Sequence, residues 1–272
     1  MRHFFIVLSF LVAGPVGAAE TPWQDHADML RTRLVSTSGD YKGEDGSVML
    51  AWEAKLAPGW KTYWRSPGEA GLPVKVFQND EALDVLYPLP ERFELFGLET
   101  YGYSNAVMLP FRAAPAEAGT LKLTASFMVC KDICVPFDAT YELPEAAGLE
   151  EFSPHDVRVD AWLKRGPDRA GDGGGDLEIT NVKLTGIPGR QRLVVDARAA
   201  GQLDHADMFA EVNDMVHFGT PETRLLGDGR SKRFVLMAMT GSKKEDLLGQ
   251  KARLTFTDGN GHAIERWITI TR

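Results

Sequence analysis

Apolar residues fall at every second position in one stretch of this chain after another. In SVMLAWEAKL, Val48, Leu50, Trp52 and Ala54 share one side, and Met49, Ala51, Glu53 and Lys55 the other. In GTLKLTASFMV, Leu121, Leu123, Ala125, Phe127 and Val129 face one way, and Lys122, Thr124 and Ser126 the opposite way. Side chains on an extended backbone alternate between two faces, so this period predicts half-buried strands. RLVVDARA, KRFVLMAM, ARLTFT and RWITIT repeat the pattern after residue 176. Turn residues separate the runs: Pro-Gly at 58 and 188, Asp-Gly at 228, Asp-Gly-Asn-Gly at 258.

Two stretches break the period. TPWQDHADMLRTRL, residues 21–34, reads as a weakly amphipathic helix. SPHDVRVDAWLKRG, residues 153–166, reads as a helix with Ser153 at the N-cap, Pro154 in the first turn and Gly166 as the stop. PDRAGDGGGD, residues 167–176, has the composition of a flexible linker. The expected fold is all-β: two immunoglobulin-like β-sandwich domains, 20–150 and 177–272, joined by a short helix and a Gly-rich linker over 151–176.

Residues 1–19 have a different character. Met1-Arg2-His3 is a basic start, Phe4 to Val12 is apolar, and AGPVGAAE supplies small residues. Val16-Gly17-Ala18 or Gly17-Ala18-Ala19 fits a cleavage site, so this is a secretory signal peptide, too short for a membrane span. No later stretch nears eighteen apolar residues. The mature chain is therefore expected in the periplasm, without membrane insertion, in a compartment where disulfides form. The net charge is −8 with acidic and basic residues interspersed. Lacking a basic stripe, such a surface is a poor partner for nucleic acid or anionic membranes. No Gly-x-Ser-x-Gly, phosphate loop or His-Glu-x-x-His motif supports hydrolase or nucleotide chemistry.

The chain has two cysteines, Cys130 and Cys134, in FMVCKDICVPFD. Four steps of extended strand cover about 13 Å, whereas bridged Cα atoms sit roughly 4.4–6.8 Å apart, so a bridge requires Lys131-Asp132-Ile133 to turn. Three readings stay open. A structural disulfide closing a loop of about five residues yields only roughly 2 kcal/mol. A redox pair gains from a short, approachable bridge. A soft-metal site for Cu(I) would use the two thiolates, but a third ligand is needed, and no histidine lies near them in sequence. Lys131 favours a thiolate at Cys130, and Asp132 opposes it.

VCKDICVPFDATYEL resembles the cysteine segment of the amino-terminal periplasmic domain of the thiol:disulfide interchange protein DsbD, and is closer still to the suppressor-of-copper-sensitivity branch. PGWKTYWRSPGEAGLPVKV (58–76) and RFELFGLETYGYSNAVMLP (92–110) agree with the same family, so the resemblance runs through roughly residues 30–145. It implies an immunoglobulin-like domain in which Cys130 and Cys134 form a reversible disulfide. A membrane-embedded thiol reductase, here in trans, would reduce that pair, and periplasmic thioredoxin-like proteins would receive the electrons by thiol–disulfide exchange. No cofactor beyond the disulfide is implied. Copper tolerance or cytochrome maturation are the cellular roles such a domain would serve. The family shields its cysteines with a cap loop bearing an aromatic residue. FELFGLETYGY matches it, with Phe96 as the cap candidate, or Leu95 if the alignment turns on Gly97. Trp64, in a cluster with Trp60 and Tyr63, reads first as packing, with the resemblance setting its segment near the cysteines as the alternative; Tyr101 and Tyr103 are candidates to line the site or equally strand residues. The second domain has no cysteine and no chemical cluster, and is expected to be a noncatalytic sandwich.

Overall fold

The protein is described by a computed structural model that covers residues 19–116, 119–171, 173–240 and 245–272. The signal-peptide expectation for residues 1–18 lies outside these. The first domain contains β1 (Gln24–His26), β2 (Leu30–Ser36), β3 (Val48–Leu56), β4 (Lys61–Gly68), β5 (Lys75–Gln78), β6 (Glu81–Ala82), β7 (Glu91–Leu95), β8 (Leu98–Ser104), β9 (Ala106–Ala113), β10 (Thr120–Cys130) and β11 (Cys134–Pro144). One helix follows, α1 (Asp156–Leu163). The second domain contains β12 (Glu178–Thr185), β13 (Arg192–Arg198), β14 (Asp207–Glu211), β15 (His217–Phe218), β16 (Glu222–Leu226), β17 (Ser231–Met239), β18 (Lys251–Thr257) and β19 (Ala263–Thr269).

Each domain is a pair of antiparallel sheets. In the first, β1-β2-β3-β9 faces the order β6-β5-β10-β4-β8-β7, with β11 added on β10. In the second, β12-β13-β17-β15, with β16 on β17, faces β14-β18-β19. The alternation seen in the sequence is the burial pattern: Leu121, Leu123, Ala125, Phe127 and Val129 all enter the first core, while the residues between them stay outside it. Across that core the indole of Trp52 donates to the Tyr141 hydroxyl at 3.1 Å, and Thr32 Oγ1 lies 2.5 Å from the same hydroxyl. A buried phenol thus finds its partners on the facing sheet.

Three local expectations are corrected. Residues 21–34 carry β1 and most of β2 instead of a helix: Leu30, Thr32 and Leu34 alternate with Arg31 and Arg33, and period two outweighs the weak helical spacing. The helix starts at Asp156, because the Ser153 hydroxyl accepts from His155 N at 3.1 Å and donates to the Ser36 carbonyl, closing a turn before the helix begins. β3 is buried on both faces, since α1 covers the outer one: Val159 packs with Val35, Met49, Ala51 and Met108.

The glycine-rich linker is anchored at its start. Asp168 bridges Ile264 in parallel, its N donates to the Ala263 carbonyl at 2.8 Å, and its Oδ1 accepts from Ala170 N and Gly171 N. An aspartate placed two and three residues before free N–H groups makes its own turn, which composition alone does not convey.

The domains meet along β4 and β8. Phe209 of the second domain belongs to the core of the first, its ring 5.2 Å from Trp64 and 5.4 Å from Tyr101. Arg65 forks onto Glu211, with Nη2 2.7 Å from Oε1, and pairs with Glu265 at 2.6 Å. Arg92 makes the same kind of fork onto Asp207, with Nε 2.7 Å from Oδ2.

Candidate functional site: a disulfide at the tip of an edge hairpin

β10 and β11 pair without a slip from Thr120–Pro144 to Cys130–Cys134, so the two cysteines are the last opposed pair before a three-residue turn. Directly opposed residues share a face and lie close enough to bridge. Cys130 and Cys134 are joined, their Cα atoms 4.2 Å apart. Lys131 N donates to the Ile133 carbonyl at 3.0 Å and closes the turn that the spacing required.

The two sulfurs belong to residues in unlike surroundings. β10 is covered by β4 and β5 on one side and β11 on the other, and Cys130 is fully buried. Among the described residues β11 pairs only with β10, and Cys134 is exposed, next to Ile133 at 58% exposure. Gln24 Nε2 donates to the outward carbonyl of Thr140, so the even-numbered residues of β11 turn their backbone groups to the open edge. Pro136 falls on that outward set, where it has no N–H to offer a passing strand. The edge therefore resists nonspecific strand addition, while its tip presents the disulfide.

The register names a neighbour that sequence reasoning missed. Cys130 is opposed by Lys61 on β4, and Lys61 by Ser104 on β8. The row Cys134–Cys130–Lys61 puts Lys61 and Cys130 on the same, outer face of the sheet, with the Lys61 ammonium over the Phe93 ring. No spacing in the sequence reveals this, because it depends on which strands pair. Lys131 also stays close, its side chain lying over Gly59.

The predicted lining residues fall elsewhere. Trp64 is buried against Phe209 at the domain junction. The Tyr101 hydroxyl donates to the Phe218 carbonyl at 2.7 Å, and that of Tyr103 to the Pro88 carbonyl at 2.8 Å. Burial pushes the pKa of both phenols up. These three residues join domains and fill core; they do not line the disulfide. Phe96 and Leu95 sit at the tip of the β7–β8 hairpin, and Phe96 is 60% exposed. From Ser104 back to Leu98, the partner of Leu95, is six residues, about 20 Å of strand. The register thus separates both cap candidates from the disulfide row. The aromatic ring beside that row is Phe93, whose ring centre lies 5.3 Å from the Lys61 ammonium and 6.3 Å from Tyr63. Tyr63 is buried under Gly71, where a Cβ would collide with its ring, and desolvation raises its pKa to about 12. The segment 66–73 therefore folds over the outer face of this sheet, behind Lys61.

Among the described residues, no group of three or more His, Cys, Asp or Glu side chains is placed to hold a metal ion. No helix among them is long and apolar enough to cross a membrane.

The fold and the site define a two-domain immunoglobulin-like β protein with a one-side-exposed disulfide across a hairpin tip. Residues 32–146 match the family described as "Thiol:disulfide interchange protein DsbD, N-terminal". Residues 167–272 match a domain of unknown function, DUF8393. Among solved structures, the N-terminal periplasmic domain of ScsB from Proteus mirabilis aligns over 94% of this chain and 100% of its own, with a TM-score of 0.75 and 21% identity. That likeness extends the same fold across both domains. The N-terminal Ig1-2 module of the Drosophila receptor protein tyrosine phosphatase DLAR covers 89% of this chain and 98% of its own at 10% identity, and its TM-score of 0.23 carries no argument. No curated protein matches the chain.

Proposed function

We propose that this is an exported thiol–disulfide oxidoreductase, delivered to the periplasm by its amino-terminal leader, that passes electron pairs through Cys130 and Cys134. The observation that carries the reading is the asymmetry of the bridge: Cys134 is exposed at an open edge, and Cys130 is buried. A thiolate of a membrane-embedded reductase attacks Cys134 Sγ, the bridge breaks, and Cys130 leaves as a thiolate. The reductase's second thiolate attacks its own sulfur in the mixed disulfide and frees Cys134. The pair has then gained two electrons and takes up protons as each thiolate requires. In the second half, the Cys134 thiolate attacks a disulfide of a thioredoxin-like partner. Cys130 then attacks Cys134 Sγ, re-forming the bridge and releasing the partner reduced. The chemistry needs no metal or organic cofactor.

The test is a trapping pair. Cys130→Ser leaves the exposed thiol without its resolving partner and is expected to accumulate a mixed disulfide in the cell envelope. Cys134→Ser is expected to accumulate far less. Equal trapping, or trapping through Cys130 alone, would overturn this assignment of roles.

A further inference from the structure

Ala19 is buried, at 6% exposure. Its N donates to Glu150 Oε1 at 3.1 Å, and its carbonyl accepts from Ser36 N at 2.9 Å. Glu20 bridges Val35, and Thr21 N donates to the Leu34 carbonyl at 2.9 Å, so residues 19–21 run as an added strand along β2. Glu150 is only 8% exposed, and its second oxygen, Oε2, is buried with no hydrogen-bond partner. The hydroxyl of Ser36, whose N holds the Ala19 carbonyl, lacks a partner as well. Arg33 is paired with Glu20 and Glu53, Arg158 with Glu53, and His155 with Glu20, so none of them pairs with Glu150. A buried carboxylate served by a single amide N–H is a costly arrangement, and such groups are found paired with a cation.

We infer that the chain is cut between Ala18 and Ala19, and that the new α-ammonium of Ala19 is the buried partner of Glu150. A membrane-bound peptidase of the signal-peptidase class adds water across that peptide bond, leaving a carboxylate on Ala18 and an ammonium on Ala19. The ammonium brings a positive charge and two N–H groups the amide does not have, for a carboxylate oxygen and a hydroxyl that are both unserved. Val16-Gly17-Ala18 supplies the small residues such a peptidase accepts. A cut one bond later would remove Ala19, leaving Glu150 without its donor and Ser36 N without its acceptor. It would also place the new ammonium on Glu20, whose carboxylate is already paired with Arg33. The inference rests on the export part of the proposed function and is independent of the disulfide chemistry.

The full chain, expressed with its own leader in a Gram-negative host and recovered from the periplasm, is expected to show the intact mass of a protein beginning at Ala19. A start at Glu20 or any other residue overturns the inference alone. An uncut chain overturns it together with the export reading, and leaves the thiol chemistry to its own test. The pairing is read by acylating the folded protein with an N-hydroxysuccinimide ester and mapping the amino-terminal peptide. The Ala19 amine is expected to react at least about tenfold more slowly than in the same protein unfolded in urea, or in Glu150→Gln, because a buried, ion-paired ammonium is neither accessible nor deprotonated. Equal rates in folded and unfolded wild-type protein refute the pairing, whether or not Glu150→Gln folds.

Discussion

Phe209→Ala tests whether the two domains share one core. Phe209 is 5% exposed and sits among residues of the other domain, with Trp64 and Tyr101 at its ring and the Arg92 guanidinium 4.3 Å above it. Truncating a buried phenylalanine costs about 3–5 kcal/mol, a figure that already contains the aromatic contacts. The cavity is held open by two rigid aromatics and by the Arg92–Asp207 fork, so collapse recovers little, and the upper half of the range applies. For a chain of this size, about 4 kcal/mol lowers Tm by on the order of 10 °C. Calorimetry should show this drop, with a single transition broadening or splitting as the domains uncouple. Redox titration of Cys130 and Cys134 should be unchanged, because the disulfide lies at the other end of β4. A loss below about 1 kcal/mol would mean that the junction is a loose contact, and would refute the shared core.

Other expectations follow from single sites. Phe96 and Gly97 turn the β7–β8 hairpin with φ of 57° and 77°, a two-residue turn that favours Asn-Gly. A phenylalanine in the left-handed region costs about 1 kcal/mol, so Phe96→Asn should raise the urea midpoint by an equivalent amount; no gain would contradict the strain. Burial lowers the pKa of His26 and of His155, against the opposing pull of Asp25 and Glu20 respectively. The unfolded chain therefore binds more protons just below pH 6.5, so stability is full above that pH and falls as the pH drops through the folded values. Denaturation curves should show this loss for wild type and a flatter profile for a His26→Asn, His155→Asn double variant; a rise in stability on acidification would reverse the sign.

What the sequence disclosed and what it hid follow a physical line. Alternation made the strands legible, because one buried face leaves a period in the residues; it located β10 from Thr120 to Cys130 almost to the residue. It failed at residues 21–34, where β1 and β2 are short and charged residues mix with the apolar ones. The cysteine pair was legible because a tight bridge needs a turn, and the hairpin supplies one. Lys61 was not, since its place beside Cys130 is set by pairing between strands some seventy residues apart in sequence. The same blindness left Trp64 and Tyr101 open between the disulfide and core packing: aromatic content predicts burial but does not say against which surface. Phe209 is that surface, and it lies in the other domain.

The reduction potential of the Cys130–Cys134 couple, measured on the intact chain while far-ultraviolet circular dichroism follows the fold, bears most directly on the proposed function. Equilibration against a glutathione and dithiothreitol ladder should show one two-electron transition at a potential above about −300 mV, with the sandwich still folded in the dithiol state. A bridge that stays closed until the β-sheet signal collapses would mark it as a structural staple and contradict the relay.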